Sequence, residues 1–358
     1  MKNKEILMTG NEAIAEGAIQ AGCDFYAGYP ITPQNELTAY MAKEMPRKTR
    51  VFIQAESEIA AINMVFGAAA AGARAMTSSS SPGISLKQEG ISYLAGAQLP
   101  AVIVNIMRGG PGLGNIMPSQ ADYFQATRGG GHGDYHCPVL APSSVQEAYD
   151  LMFLSFELAD KYRNPVMILG DGMLGQMMEP LCVRRSAFGV RRYKKPWALT
   201  GCRGRRPNVV KSFFIREGDL ETFNLLLQKK YHTIRREEQR WEGLFLEDAR
   251  VVVVAYGTMA RIAKSAVVNL RKAGRRVGLI RPVTLWPFPV EAFENSVKLK
   301  AQSAKRPRYL VLEMSYGQMV EDVKLTLNGR ATIEFLGRSG GGVPGEREIE
   351  KQILKLLS

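Results

Sequence analysis

"RAMTSSSSPGISLKQEGISYLAGAQLPAVIVNIMRG" (Arg74–Gly109) carries the plainest fold signal in this chain. "RAMTSSSS" reads as a strand running into a polar loop at Ser78–Ser81. "ISLKQEGISYLAGAQ" reads as a helix, and "LPAVIVNIMRG" as a buried strand. Two strands joined through a helix run parallel. The same alternation extends on both sides. "NEAIAEGAIQAG" is a helix ended by Gly22. "CDFYAGYP" and "RVFIQAES" are strands, and "EIAAINMVFGAAAAGA" is a helix small-sided enough for close packing. "PSSVQEAYDLMFLSFELADKY" is a helix with Ser143 and Ser144 at its cap and Glu147 near its third position. "NPVMILGDG" is a last apolar strand. The pattern predicts an α/β domain with a mainly parallel, doubly wound sheet.

Composition changes after Pro180. Residues 181–247 are basic, then mixed in charge, with a helix expected over "LETFNLLLQKKYHTIRREEQRWEGL"; this span reads as an arm crossing a surface. A second, smaller α/β unit starts at Ala249. "ARVVVVAYGTMARIAKSAVVNLRKAGRRVGLIRPVTLWPFP" gives strand, glycine turn, helix, strand and proline-rich loop. "RPRYLVLEMSYGQM" adds a strand and turn, and "EREIEKQILKLL" a closing helix. The expected division is 1–183, 184–247 and 248–358.

With 358 residues, 46% of them hydrophobic, the chain can bury a large core without disulfides or metals. No apolar run reaches the roughly 20 residues that span a bilayer, and the N-terminus is too polar for a signal peptide. A cytoplasmic location with no membrane contact is expected. Cys23, Cys137, Cys182 and Cys202 form no C-x-x-C pair, so zinc, iron–sulfur and disulfide frameworks are not indicated. Any electron carriers must lie on other chains. The net charge is +13, concentrated at Arg184–Arg206 and again around Arg235–Arg240. Without an RNA-binding or helix-turn-helix signature, this reads as a basic arm at a subunit surface, and no nucleic acid is expected. A non-catalytic scaffold or nucleic-acid-binding subunit is the distant rival.

Several motifs invite chemistry. "LGDGM" (Leu169–Met173) could open a diphosphate–metal site, but the asparagine needed about 25–30 residues on is missing from "KPWALTGCR", and Asn208 comes too late. Asp171 therefore reads as a structural strand-end acid, and no metal ligand is assigned. Gly257 follows a strand without a G-x-G-x-x-G fingerprint, which excludes a nicotinamide site. His132 and His136 are four apart, but the surrounding glycines forbid the helix a metal pair needs. Glu56 and Glu58 lie where a strand meets the Ala-rich helix, where a carboxylate is stable and, once buried, can hold a proton for chemistry. Arg108 ends an apolar strand before a glycine-rich loop, with a fork that matches a carboxylate. In "GYPITPQNEL", Pro30 and Pro33 stiffen the backbone around Ile31 and Thr32 ahead of a helix.

Together, "GYPITP", "QAESEIAA" with "GAAAAGA", "RGGPGLGN", "PSQADYFQATRGGGHGD", "LAPSSVQEAYDL", "MMEP", "KPWALTG" and "IRPVTLWPFP" resemble the 2-oxoacid:ferredoxin oxidoreductase family. The match is to the chain carrying its pyrimidine-binding and transketolase C-terminal-like domains, and it covers nearly all 358 residues. "RGGPGLGNIMPSQADYFQATRGGGHGDY" looks most like the branched-chain (2-oxoisovalerate) type, with the 2-oxoglutarate type as the alternative.

The resemblance implies a thiamine-diphosphate-binding, pyrimidine-type α/β domain followed by a smaller transketolase C-terminal-like α/β domain. It implies thiamine diphosphate shared with a diphosphate-binding beta-type subunit that carries Mg²⁺. It also implies iron–sulfur clusters on partner chains only, a gamma-type subunit and a two-cluster ferredoxin-like subunit as further partners, ferredoxin as acceptor and coenzyme A as co-substrate. Glu58 matches the glutamate that bonds N1′ of the aminopyrimidine. Thr32 and Arg108 match the residues that hold the 2-oxoacid carboxylate. Pro30, Ile31, Ser80 and Ser81 border the cofactor, while Glu56 and Asn115 lie behind the contacting residues. The implied reaction is CoA-dependent oxidative decarboxylation.

Overall fold

The computed structural model describes residues 5–183, 190–300 and 308–358. In chain order the elements are β1 (Glu5–Thr9), α1 (Gly10–Gln20), β2 (Phe25–Gly28), α2 (Asn35–Arg47), β3 (Val51–Gln54), α3 (Glu58–Ala70), β4 (Ala75–Ser79), α4 (Ser81–Gly96), β5 (Ala101–Met107), α5 (Tyr123–Thr127), β6 (Val139–Leu140), α6 (Val145–Tyr162), β7 (Pro165–Asp171), α7 (Gly172–Gln176) and β8 (Met178–Cys182). There follow α8 (Asp219–Glu237), β9 (Trp241–Leu244), β10 (Val251–Val254), α9 (Gly257–Lys272), β11 (Val277–Pro282), β12 (Thr284–Trp286), α10 (Val290–Lys300), β13 (Arg308–Glu313), α11 (Met319–Leu327), β14 (Thr332–Gly337) and α12 (Glu346–Leu357).

The first sheet has the order β12-β6-β7-β5-β4-β2-β3 and is parallel except for β12. Its central strands β4, β5 and β7 are buried along their whole length, as parallel strands covered on both faces must be. Helix α1 opens with a capping box at Thr9 and Glu12 and stops before Gly22, which takes φ +86°. Helix α6 is capped by Ser144, whose hydroxyl accepts from the Glu147 amide. The second sheet runs β14-β13-β10-β11-β9, parallel except for β9. An antiparallel ribbon of β1 and β8 lies apart from both.

Local sequence pattern and structure diverge where a partner strand decides the outcome. The helix expected to run through Leu244 ends at Glu237, and Trp241–Leu244 become β9, the edge of the second sheet. Gly243 weakens a helix there, and pairing with β11 satisfies the backbone instead. Within the expected proline-rich loop, Thr284–Trp286 form β12 and pair with β6 of the first sheet. The expected start of α4 at Ile84 moves back to Ser81, because Pro82 suits a first turn. The first residues of the basic arm, 184–189, lie outside the described residues. Residues 190–217 have neither helix nor strand and are tied down by Arg192 to Asp24 (3.0 Å) and Lys195 to Asp160 (2.9 Å). No helix among the described residues is long and apolar enough to cross a membrane.

Polar contacts lock the two sheets together next to the C-terminal ends of the first sheet's strands. The Gln120 side chain donates to the Tyr256 carbonyl (3.0 Å) and accepts from the Met314 amide (3.0 Å). The Tyr123 hydroxyl donates to Asp322 (2.6 Å).

Candidate active site

Ligands bind open α/β sheets outside the carboxyl ends of parallel strands. Here those ends are Gly28 of β2, Ser79 of β4 and Met107 of β5, and the singled-out residues gather around them.

Glu58 is the first residue of α3, behind the cap at Ser57, whose hydroxyl accepts from the Ala60 amide at 3.1 Å. It is only 6% exposed. Its carboxylate lies over Gly83 in the first turn of α4. A Cβ built on Gly83 would sit 2.5 Å from Glu58 Oε1 and against Ser79 Oγ, so only glycine lets the two meet. Glu56, two residues earlier, is exposed.

The serine run turns from strand into helix beside this point. Ser81 Oγ donates to Asp122 (2.5 Å) and accepts from the Arg108 amide (3.0 Å). Asp122 also accepts from Asn105 (2.9 Å), and burial pushes its carboxyl up despite these bonds. Arg108 is 7% exposed. Its two terminal nitrogens donate to the carbonyls of Thr32 (2.9 Å) and Leu113 (3.0 Å). Glu58, Ser79–Ser81, Arg108 and Thr32 thus form one continuous surface.

The loop bearing Thr32 is held from several directions. Asn11 and Gln176 donate to the Pro33 carbonyl at 2.7 and 3.0 Å. The buried Gln34 accepts from Ser78 (2.6 Å) and Thr38 (3.2 Å), and Ser78 also bonds the Tyr26 hydroxyl (2.6 Å). The backbone of Thr32 is therefore fixed, while its hydroxyl accepts one 3.2 Å bond, from Asn35, among the described residues. Pro30 is exposed and Ile31 half-buried at the mouth of this loop. Asn115 accepts from Met117 and donates to Gly340 (3.0 Å each), pinning the exposed glycine-rich loop to the second unit.

Four buried polar atoms on this surface have no partner among the described residues: Ser79 Oγ, Ser80 Oγ, Asn105 Oδ1 and Arg108 Nε. An unsatisfied buried group costs about 1–3 kcal/mol, so such a cluster marks a place where a polar ligand fits. The carboxylate over Gly83 and the flanking hydroxyls suit a nitrogen heterocycle, and the fixed arginine suits an anion. They fit the pyrimidine end of thiamine diphosphate. Asp171 is engaged elsewhere, with Oδ1 accepting from the Met173 and Leu174 amides (2.9 and 3.1 Å) as the cap of α7. Among the described residues no group of three or more His, Cys, Asp or Glu side chains is placed to hold a metal ion.

A cleft of about 700 Å³ opens elsewhere, between Glu147, Glu242, Arg261 and Arg281. Its Arg281 already bridges Glu147 (2.7 Å) and Glu242 (2.8 Å), so it is a charge-paired seam between the sheets. His136 stacks on Trp286 with ring centroids 4.6 Å apart, and burial together with Arg235 pushes its imidazole down to about 4.

Sequence reasoning singled out Glu58, Thr32, Arg108 and the serines. It did not single out Asn11, Gln34, Asn105 or Asp122, which hold these groups in place. Of these only Asn105, a polar residue inside the apolar strand β5, leaves a signal of its own; Asn11 lies in the first turn of α1, and Gln34 and Asp122 stand just before α2 and α5.

Residues 16–219 match the family model described as pyruvate flavodoxin/ferredoxin oxidoreductase, thiamine diP-binding, and residues 249–349 match pyruvate:ferredoxin oxidoreductase core domain II. The chain is 51% identical to the ketoisovalerate oxidoreductase subunit VorB of Methanothermobacter marburgensis, over 98% of this chain and 97% of that one. It is 37% identical to the 2-oxoglutarate synthase subunit KorA of Methanocaldococcus jannaschii, over 97% and 98% of the two chains. A structure of 2-oxoglutarate:ferredoxin oxidoreductase from Magnetococcus marinus, with 2-oxoglutarate, coenzyme A and succinyl-CoA bound, superposes with TM-score 0.86 at 25% identity. That match takes in 99% of this chain and 65% of the other. A split-gene transketolase in an inactive beta4 tetramer shares the fold at TM-score 0.59 and 14% identity. Matched by a thiamine diphosphate-binding family model over more than half its length and by full-length oxidoreductase subunits, the chain belongs to the 2-oxoacid:ferredoxin oxidoreductase family.

Proposed function

We propose that this chain is the pyrimidine-holding subunit of a thiamine diphosphate-dependent oxidoreductase. The complex oxidatively decarboxylates 2-oxoisovalerate to its acyl-CoA and CO₂ with reduction of ferredoxin. The observation that carries the substrate choice is 51% identity along almost the whole chain to a ketoisovalerate oxidoreductase subunit, against 37% to a 2-oxoglutarate synthase subunit. The 2-oxoglutarate reading is the second choice, supported by those relatives and by the ligands of the Magnetococcus structure.

Residues 1–183 form the pyrimidine-binding unit in this reading, 184–247 the connecting arm, and 248–358 the transketolase C-terminal-like unit. Thiamine diphosphate, when bound, supplies the nucleophilic carbon and the electron sink for decarboxylation. This chain contributes position and proton placement. Glu58 accepts and returns a proton at N1′ of the pyrimidine, and Ser80 and Ser81 line the ring's edge together with Pro30 and Ile31. Arg108, its terminal nitrogens fixed by two carbonyls, offers Nε and its charge to the substrate carboxylate, and the Thr32 hydroxyl is the second donor. Glu56 and Asn115 act from behind these groups. Mg²⁺ and the iron–sulfur clusters belong to partner chains: a diphosphate-binding beta-type subunit, a gamma-type subunit and a two-cluster ferredoxin-like subunit. The complex works in the cytoplasm, with ferredoxin and coenzyme A as co-substrates.

The test is reconstitution with a diphosphate-binding subunit and a cluster-bearing subunit, followed by CoA-dependent reduction of ferredoxin. Turnover with 2-oxoisovalerate well above that with 2-oxoglutarate is expected. The reverse preference transfers the chain to the second reading, and steep salt-dependent nucleic-acid binding without turnover removes it from both.

A further inference from the structure

Lys87 is a charged side chain with no access to solvent. It lies on α4 one turn after Gly83, the glycine over which the Glu58 carboxylate rests. Its ammonium turns back to β4, donating to Thr77 Oγ1 (2.7 Å) and the Ser78 carbonyl (3.3 Å). Both acceptors are neutral, and they immediately precede Ser79, whose hydroxyl also borders Gly83. Among the described residues no carboxylate forms a direct ion pair with Lys87, and Glu58 is the charged group whose field reaches it. The Tyr26 phenol, bonded to Ser78, is pushed up to about 12 by burial and so stays neutral. Burying an unpaired ammonium is costly, and a simple filler of this space would be apolar.

We propose that Lys87 is a positioning residue that acts through Glu58, supplying the buried countercharge that keeps its carboxylate ready to take a proton. This rests on the reading of Glu58 as the residue facing the pyrimidine. Lys87 and Glu58 carry opposite charges on the two helices on either side of β4 in the chain and are not joined in a direct ion pair. An open arrangement leaves the carboxylate oxygens free for a ligand. Burial also pushes Lys87 down to about 7, opposed by Glu58, so the countercharge itself fades as pH rises through neutrality.

The experiment compares Lys87→Met, Glu58→Gln and the double variant. In cofactor-free full-length chain, melting is followed from pH 6 to 10. Lys87 is depressed in the folded state, so between about 7 and 10.5 the unfolded chain binds the extra proton and wild type gains stability with pH. Lys87→Met should lose that rise, and the two substitutions should be non-additive. In the reconstituted complex, Lys87→Met should move the acid limb of kcat up by about one pH unit, a tenfold loss on that limb, with KM for thiamine diphosphate little changed. Additive melts together with an unmoved acid limb overturn the proposal. Should Glu58→Gln retain full turnover, the assignment of Glu58 falls, and the melting cycle alone then decides the charge coupling. Should Lys87→Met fail to assemble, Thr77→Val takes its place. It removes the 2.7 Å acceptor and should shift the acid limb in the same direction. An unmoved limb in that variant counts against Lys87.

Discussion

Glu58 and Glu313 are both buried glutamates at strand–helix junctions, and they are treated in opposite ways. Glu313 ends β13 with no exposure, and its oxygens are saturated. They accept from the amides of Gln318 (3.0 Å), Met319 (3.1 Å) and Val320 (2.9 Å) and from the Ser315 hydroxyl (2.9 Å). It is a cap for α11, although burial still pushes its carboxyl up. Glu58 opens α3 but leaves the capping to Ser57, and no donor among the described residues binds its carboxylate. Across Gly83 from Glu58 lies the Ser79 hydroxyl, which has no partner among the described residues. A saturated acid builds structure. An acid left open among unsatisfied donors and acceptors is prepared for a ligand.

Substitution at the two sites should separate these roles. Glu58→Gln keeps the shape and removes the proton acceptor. In the assembled complex, turnover should fall roughly a thousandfold, about 4 kcal/mol of barrier, with assembly and melting temperature nearly unchanged. Near-normal turnover would break the contrast at its functional end. Glu313→Ala should do the opposite, costing roughly 3 kcal/mol of stability because its buried amide donors lose their acceptor. Denaturant unfolding measures it, and a shift below 1 kcal/mol would mean that Glu313 is no structural keystone. Arg108→Ala comes next, with kcat/KM for the 2-oxoacid down roughly ten- to a hundredfold and KM for thiamine diphosphate steady. Arg108→Lys should recover little, since the fork that reaches Thr32 and Leu113 is lost. If kcat/KM stays at the wild-type value, the substrate role of Arg108 fails.

The contrast was only half legible in the sequence. Alternating strands and helices announced the parallel sheet, because buried parallel strands and amphipathic helices leave strong periodic patterns. Glu58, Thr32 and Arg108 stood out through family motifs. What made Glu58 open and Glu313 closed did not, because it depends on which strand ends meet. The Ser81–Asp122–Asn105 network and the Gln34–Ser78 bond join residues that are far apart in the chain. Lys87 looked like any lysine on a helix until the fold removed it from water. The short strands β9 and β12 were equally hidden. At three or four residues, pairing rather than propensity fixes them.

The smallest expected effect tests the structural side of the comparison at the seam made by β12. His136 stacks on Trp286 of that strand and is kept neutral by burial and by Arg235. Its folded-state value of about 4 lies below the ordinary 6.5. Above 6.5 the imidazole is neutral in both folded and unfolded chains and contributes no pH dependence. As pH falls from 6.5 toward 4, the unfolded chain takes up a proton that the folded one refuses, so stability is lost across that window. His136→Phe keeps a ring against Trp286 and removes the titration. Because His136 is only half-buried, the variant should lose less stability than wild type by about 1 kcal/mol between pH 6.5 and 4.5. Carboxylates that titrate in the same range cancel in the difference between the two proteins. Parallel stability curves would show that the seam accepts a charged imidazole, and that β12 is held to the first sheet by its backbone pairing with β6 rather than by this stack.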